Sequence, residues 1–238
     1  MLQKLKLDNI LFLDIETAAQ HPHFSDLSDD FKTHWERKAS FIGKEDDTPE
    51  SVYERAGIYA EFGKIVCISV GFITMVSGSK TLRIKSFSND DESVLIQEFF
   101  ELLNKHYNHR DALLCAHNGK EFDFPYIGRR ALINGIDIPQ ILDLAGKKPW
   151  EVQHLDTLQL WKFGDYKHYT SLALLTTIFN IPTPKDDIDG SMVNDIYWKE
   201  KDLKRIAVYC EKDVIALTQL FLRFRNEALI DTENIIIS

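Results

Sequence analysis

The chain predicts an α/β fold, a mixed sheet covered by helices. Three features carry that expectation: a continuous apolar run near the start, a pair of strand-like runs joined by a short turn, and amphipathic stretches at helical spacing. With 238 residues, 44% hydrophobic and 27% charged, the chain reads as one soluble domain over 1–238.

Ile10-Leu-Phe-Leu-Asp-Ile-Glu16 begins as a strand buried on both faces does. From Ala18 to Phe62 the chain turns polar but keeps Phe24, Phe31, Trp35, Phe41, Tyr53 and Tyr59. That aromatic content exceeds what a disordered linker holds, so 18–62 is read as an ordered inserted excursion with one or two helices. Ile65–Thr74 and Leu82–Phe87, separated by Ser77-Gly78-Ser79, form a strand hairpin. Glu92–Tyr107 spaces Leu95, Phe99, Leu102 and Leu103 as one helix face. Ala112–His117 is a short strand, and Pro125 belongs in the first turn of a helix running to about Asn134. Val152–Leu155 is a short strand, and Ser171–Phe179 a helix. The last long helix, Asp202–Phe224, lines up Ile206, Cys210, Val214, Leu217 and Phe221.

Twenty-eight basic and 37 acidic residues leave a net charge of -9, unlike a protein that coats nucleic acid tightly. No run reaches the ~18 apolar residues that cross a bilayer, and the first residues lack the apolar core of a secretory signal. Three widely spaced cysteines, Cys67, Cys115 and Cys210, argue against a disulfide framework or a cysteine-based zinc site. A cytoplasmic location is the expectation.

Three clusters carry the chemistry. Asp14 and Glu16 lie two apart on a strand, so both carboxylates project from one face. Asp123 stands just before the helix of Pro125, after the turn His117-Asn118-Gly119. Tyr209 and Asp213, four apart, share one side of the last helix. Singly, each has an ordinary structural explanation: a turn cap, a helix N-cap, a Tyr-Asp hydrogen bond. An aspartyl-phosphate phosphatase is disfavoured, because the extra methylene of Glu16 misplaces the second carboxylate. Together, Asp14, Glu16, Asp123 and Asp213 at one sheet end would repel one another unless cations neutralised them. Hard divalent ions such as Mg²⁺ or Mn²⁺ suit an oxygen-only donor set. Two of them ~4 Å apart stabilise both oxygens of a phosphoryl displacement, which points to a two-metal phosphodiesterase.

Phe-Leu-Asp14-Ile-Glu16-Thr17, Asn118-Gly-Lys-Glu-Phe122-Asp123 and Tyr209-Cys-x-x-Asp213 resemble the three motifs of DEDD nucleases. The tyrosine four residues before the last aspartate marks the DEDDy subclass. The wording is similar to the proofreading domain of family-B DNA polymerases, and to stand-alone bacterial proteins described as predicted 3'-5' exonucleases related to it. The resemblance spans residues 8 to 224 and implies a ribonuclease H-like, five-stranded mixed sheet. It implies that Asp14, Glu16 and Asp213 hold the metal that activates water, that Asp14 bridges to a second metal, and that Asp123 supports the second. It further implies that Tyr209 orients the water and that Thr17, Asn118 and Phe122 contact the terminal nucleotide. Asp156 matches a further acidic position, with a helix N-cap as the competing reading. Such polymerase domains do not carry the 18–62 excursion in this form.

Residues 117–170 hold seven basic and seven acidic side chains, so the net negative charge lies elsewhere. Lys147, Lys148, Lys162 and Lys167, with Trp161, Tyr166 and Tyr169, are candidates for tracking a phosphate backbone and stacking bases. The expected activity is 3'-5' hydrolysis of single-stranded nucleic acid, DNA first, with Mg²⁺ or Mn²⁺. An RNA-trimming exoribonuclease and a catalytically silent nucleic-acid-binding scaffold are the alternatives. A replication or repair protein is the expected partner class, and no membrane is.

Overall fold

The computed structural model describes residues 2–165, 169–182 and 188–238. The strands are β1 (Ile10–Ala19), β2 (Gly63–Val76), β3 (Ser79–Ser88), β4 (Leu113–Ala116), β5 (Leu155–Asp156) and β6 (Ile235–Ile237). The helices are α1 (Asp29–Ile42), α2 (Glu92–His106), α3 (Asp123–Ile133), α4 (Thr157–Lys162), α5 (Leu172–Ile178), the single turn α6 (Val193–Asp195) and α7 (Leu203–Phe224). No described helix is long and apolar enough to cross a membrane.

The sheet order is β5-β4-β1-β2-β3-β6. β2 runs antiparallel to both β1 and β3, while β4 and β5 continue parallel to β1. This is a mixed sheet flanked by helices. The expected five strands are joined by a sixth, β6, which pairs parallel with the edge of β3.

β1 sits at the centre, as its apolar run requires. Ile10 and Phe12 face α7, where Phe12 meets Phe221 edge-on at 5.4 Å; Leu11, Leu13 and Ile15 face the core shared with α2 and α3. Asp14 and Glu16 therefore open toward α7. The β1–β2 register slips once, with Glu16 opposite Cys67 and Thr17 opposite Ile65. Val66 is left over as a bulge, and it packs with Cys67 on the α7 side. Gly71 is required where α7 crosses β2, because a Cβ there would lie 2.8 Å from Val214 Cγ1.

The hairpin turn is Ser77-Gly78, both at positive φ, and Ser79 already pairs with Val76. Several boundaries differ from expectation, among them the end of β1, which runs on to Ala19 past the expected start of the excursion at Ala18. Asp123 is the first residue of α3, with Phe122 in the cap position. β5 is Leu155–Asp156, shorter and later than the expected 152–155.

The excursion is ordered about its own aromatic core. Trp35 is buried against Tyr53 and Phe62, with ring centroids at 5.4 and 5.1 Å, and its indole N–H donates to Pro49 O at 2.7 Å. Its last turn docks on the main core, where the Tyr126 hydroxyl donates to Gly57 O at 2.7 Å.

One buried ion pair joins four of these segments. Arg130 on α3 grips Glu92 on α2 with Nε and Nη2, and its Nη1 donates to Ala60 O at 2.9 Å. Glu92 also accepts from Ile65 N at the start of β2 and from Asn134 Nδ2. Both side chains are nearly inaccessible to water. Removing one partner strands a buried charge, which costs about 3–5 kcal/mol. Glu92→Ala is expected to lower the free energy of urea unfolding by that amount, and Glu92→Gln by less. An unchanged midpoint in Glu92→Ala would show that the network holds nothing together.

Candidate active site

The centre of the site is the end of β1. Alternation sends Asp14 and Glu16 to the α7 side while Ile15 is buried among α2 and α3. On α7, Cys210 lies completely buried beneath them, and its thiol reaches Asp14 O at 3.4 Å and Asp14 Oδ2 at 3.5 Å. Candidate ligand atoms of Asp14, Glu16 and Cys210 all lie within 4.8 Å of one another. One residue before Cys210, Tyr209 hydrogen-bonds Asp213 and lies within the fields of Glu16 and Asp14.

Asp123 arrives from another direction. The turn before α3 is narrow: a Cβ on Gly119 would fall 2.3 Å from Ala116 Cβ and 3.0 Å from the Phe124 ring. The turn delivers Asp123, only 3% exposed, to β1, where the backbone N–H of Ile15 donates to its carboxylate. Asp123 is thus anchored between the two acidic residues of β1.

The electrostatics follow from burial and from like charge. Burial, then the carboxylates of Asp123 and Asp213, hold the Asp14 carboxyl well above its ordinary range, against the lowering effect of the Cys210 thiol. Burial, then Asp14 and Asp213, raise Glu16. Burial pushes Asp123 up to about 7, although its backbone hydrogen bonds oppose this. The Tyr209 hydroxyl is raised far above the ordinary phenol value by burial and by Asp213, Glu16 and Asp14, so it keeps its proton.

Asp156 braces rather than reaches out. Its Oδ1 accepts from Leu158 N and Gln159 N, capping α4, and from Asn118 N at 3.0 Å; Oδ2 accepts from Lys120 N at 3.1 Å. The helix N-cap that competed with a role at the site is thus present, and the same carboxylate holds the turn from Asn118 to Lys120. Asn118 takes φ 66°, a left-handed conformation that this bracing supports. Phe122 is half-buried with its ring on Tyr126 at 5.3 Å. The Thr17 side chain is tied to the Tyr126 hydroxyl.

The expected strand-tracking aromatics divide. Trp161 packs against Phe179 and Phe224. Tyr166 and Lys167 lie outside the described residues. Tyr169 stands edge-on to His117 at 6.3 Å, and burial plus Asp123, Asp14, Asp156 and Asp213 raise its hydroxyl. Tyr169 and Cys210 thus join the site in roles not assigned to them from sequence. For Cys210 the signal was present, since i−3 from Asp213 and one step from Tyr209 is the inner edge of the same face.

A family model described as "Predicted 3'-5' exonuclease related to the exonuclease domain of PolB" matches residues 58–234, about three-quarters of the chain. The chain belongs to this family. The matched stretch carries Asn118, Phe122, Asp123, Tyr209 and Asp213; Asp14 and Glu16 precede it. Among solved structures, the family B DNA polymerase from the hyperthermophilic archaeon Pyrobaculum calidifontis is similar at 15% identity and a TM-score of 0.48. That match covers 90% of this chain and 24% of the polymerase chain, so the present chain corresponds to about a quarter of that protein's length. No curated protein sequence matches significantly.

The raised carboxyls fix the sign of a pH effect. A carboxyl with a folded pKa above its unfolded value of ~3.9 favours folding at low pH, and that contribution is lost as pH rises through the folded pKa. In chelator, stability is therefore expected to fall from about pH 4 to about pH 7, the value of Asp123. Asp123→Asn should flatten the decline, and Mn²⁺ should raise the melting temperature more at pH 8 than at pH 5. A melting temperature in chelator that is level across this range would contradict the assigned crowding.

Proposed function

We propose that this member of the exonuclease family is a metal-dependent 3'-5' exonuclease acting on single-stranded nucleic acid, DNA foremost, by a two-metal route. The observation that carries the reading is the meeting of Asp14, Glu16, Asp123 and Asp213, from three separate elements, with Tyr209 bonded to the last of them. Buried carboxylates that raise one another's pKa form a donor set that divalent cations relieve. The set is oxygen-rich and fits Mg²⁺ or Mn²⁺.

Asp14, Glu16 and Asp213 would hold one cation, and Asp14 with Asp123 the second. When bound, the cations supply positive charge at the attacking and leaving oxygens of the displacement at phosphorus. The chain's own groups do the positioning. Tyr209 keeps its proton and, fixed by Asp213, orients a water by hydrogen bonding rather than acting as a base. Phe122, backed by Tyr126, offers its ring to the terminal base, and the braced turn at Asn118 shapes the pocket beside it. The water oxygen loses a proton to solvent and bonds to phosphorus, the bond from phosphorus to the upstream 3' oxygen breaks, and that oxygen takes a proton from solvent. The products are a nucleoside 5'-monophosphate and a strand one residue shorter.

Digestion of a 5'-labelled single-stranded oligonucleotide tests this. Excess chelator should abolish it, Mg²⁺ or Mn²⁺ should restore it, and a blocked 3' end should stop it while a blocked 5' end does not. Full activity in chelator, or rapid cutting of a closed circle, would overturn the reading.

The two residues of α7 separate orientation from metal binding. Tyr209→Phe should slow single-turnover cleavage roughly ten- to a thousand-fold with Mn²⁺ affinity little changed. Asp213→Ala should abolish cleavage and weaken Mn²⁺ binding measured by calorimetry. If Tyr209→Phe matched wild type, Tyr209 would be a packing residue.

A further inference from the structure

Three of the four tryptophans are accounted for by packing. Trp35 is fully buried, Trp161 packs against Phe179 and Phe224, and Trp198 is half-buried and donates to Ala19 O. Trp150 is not: it is 77% exposed on a short 3₁₀ turn, Pro149–Glu151. An indole in water forgoes the burial that normally places tryptophan.

Its surroundings say what it meets. Trp150 lines a groove of about 290 Å³ with Lys120, Gln159 and Lys162, and the Lys148 ammonium lies 5.3 Å from its ring centroid. Lys120 and Glu121 in the groove wall belong to the turn between Asn118 and Asp123, which delivers Asp123 to the active site. The parts are fixed in advance. Glu151 accepts from Lys148 N at 2.7 Å, and Lys120 Nζ donates to Val152 O at 2.8 Å, tying the turn to the segment behind Trp150. Among the lining residues two lysines stand against one carboxylate, Glu121, with Lys148 beside Trp150, on a chain of net charge -9.

We propose that this groove receives the single-stranded polynucleotide upstream of the scissile bond, one base stacking on Trp150 and its phosphates lying against Lys148 and Lys162. The proposal rests on the exonuclease reading and deepens it. An aromatic face accepts any base, and lysines on a flexible stem follow the backbone without reading sequence. An enzyme that removes successive nucleotides needs such a tolerant grip, because each cycle brings a new sequence into the groove. The repulsion between an acidic protein and a polyanion makes a local cationic lane necessary.

Binding of fluorescent oligonucleotides in chelator, by anisotropy, tests the groove without cleavage. Matched DNA and RNA strands of two and of twelve residues form the arms. In wild type the longer strand should bind more tightly. Trp150→Ala should weaken the twelve-residue strand about 5- to 100-fold and remove most of the length dependence. Trp150→Phe should retain much of it. Lys148→Ala and Lys162→Ala should each reduce the slope of log affinity against log salt by about 0.7. Met75→Ala on the β2–β3 hairpin is the surface control. The same loss in both sugars supports a sequence- and sugar-tolerant lane, and loss in one alone restricts the lane to that sugar.

Unaltered affinity and salt slope in Trp150→Ala, Lys148→Ala and Lys162→Ala would overturn the groove while leaving the exonuclease reading intact. Wild-type protein that hydrolyses no strand but shows these binding losses would overturn the exonuclease reading while leaving the groove.

Discussion

Carboxylates drawn together away from water resist being held together, and much of this molecule can be understood as opposing that resistance. Asp14 and Glu16 are raised by burial first and by their acidic neighbours second. A loose scaffold would relax by letting one carboxylate swing into solvent. Here each is attached to an element that cannot move alone. β1 is paired on both sides and packed on both faces, Asp123 accepts a hydrogen bond from the backbone of β1 itself, and Asp213 rides on a helix whose apolar stripe is buried along its length. The repulsion is thus met by raised carboxyl pKa values rather than released as movement.

Two polar braces away from the acidic centre maintain this. The Arg130–Glu92 pair ties α3 to α2, to the start of β2 and to the end of the excursion, so the helix bearing Asp123 is fixed at its far end as well. Asp156 fixes the near end, taking four backbone amides and thereby setting the path from Asn118 to Lys120. A buried charge that leaves its partners unmet is costly, so each brace makes its segments fold together or not at all.

What the sequence made legible was whatever depends on local periodicity. The run at Ile10–Leu13 announces a strand buried on both faces, alternation puts Asp14 and Glu16 together, and four-residue spacing joins Tyr209 to Asp213. Contacts between distant segments left no such trace. The N–H of Ile15 donating to Asp123 and the commitment of Asp156 to backbone amides are set only by tertiary placement. The aromatics exchange places for the same reason: Trp161 is taken up by Phe179 and Phe224, while Trp150, with no such neighbours, stays exposed. Ile235–Ile237 was too short a run to distinguish a strand from a tail until β3 offered it an edge.

The bulge at Val66 lies opposite the stretch of β1 that carries Glu16 and Thr17. Regular pairing would turn Val66 away from α7, yet Val66 and Cys67 both pack toward it beside Ala18, Ile206 and Cys210. The slip puts two consecutive side chains of β2 beside Cys210 on that side, where regular alternation would put one. β1 stays paired with β2 through Ala19, and the excursion that follows returns through Gly57 onto Tyr126 and Phe62 onto Gln20. One extra residue in β2 thus puts Val66 and Cys67 together on the α7 side beside Cys210, whose thiol touches Asp14.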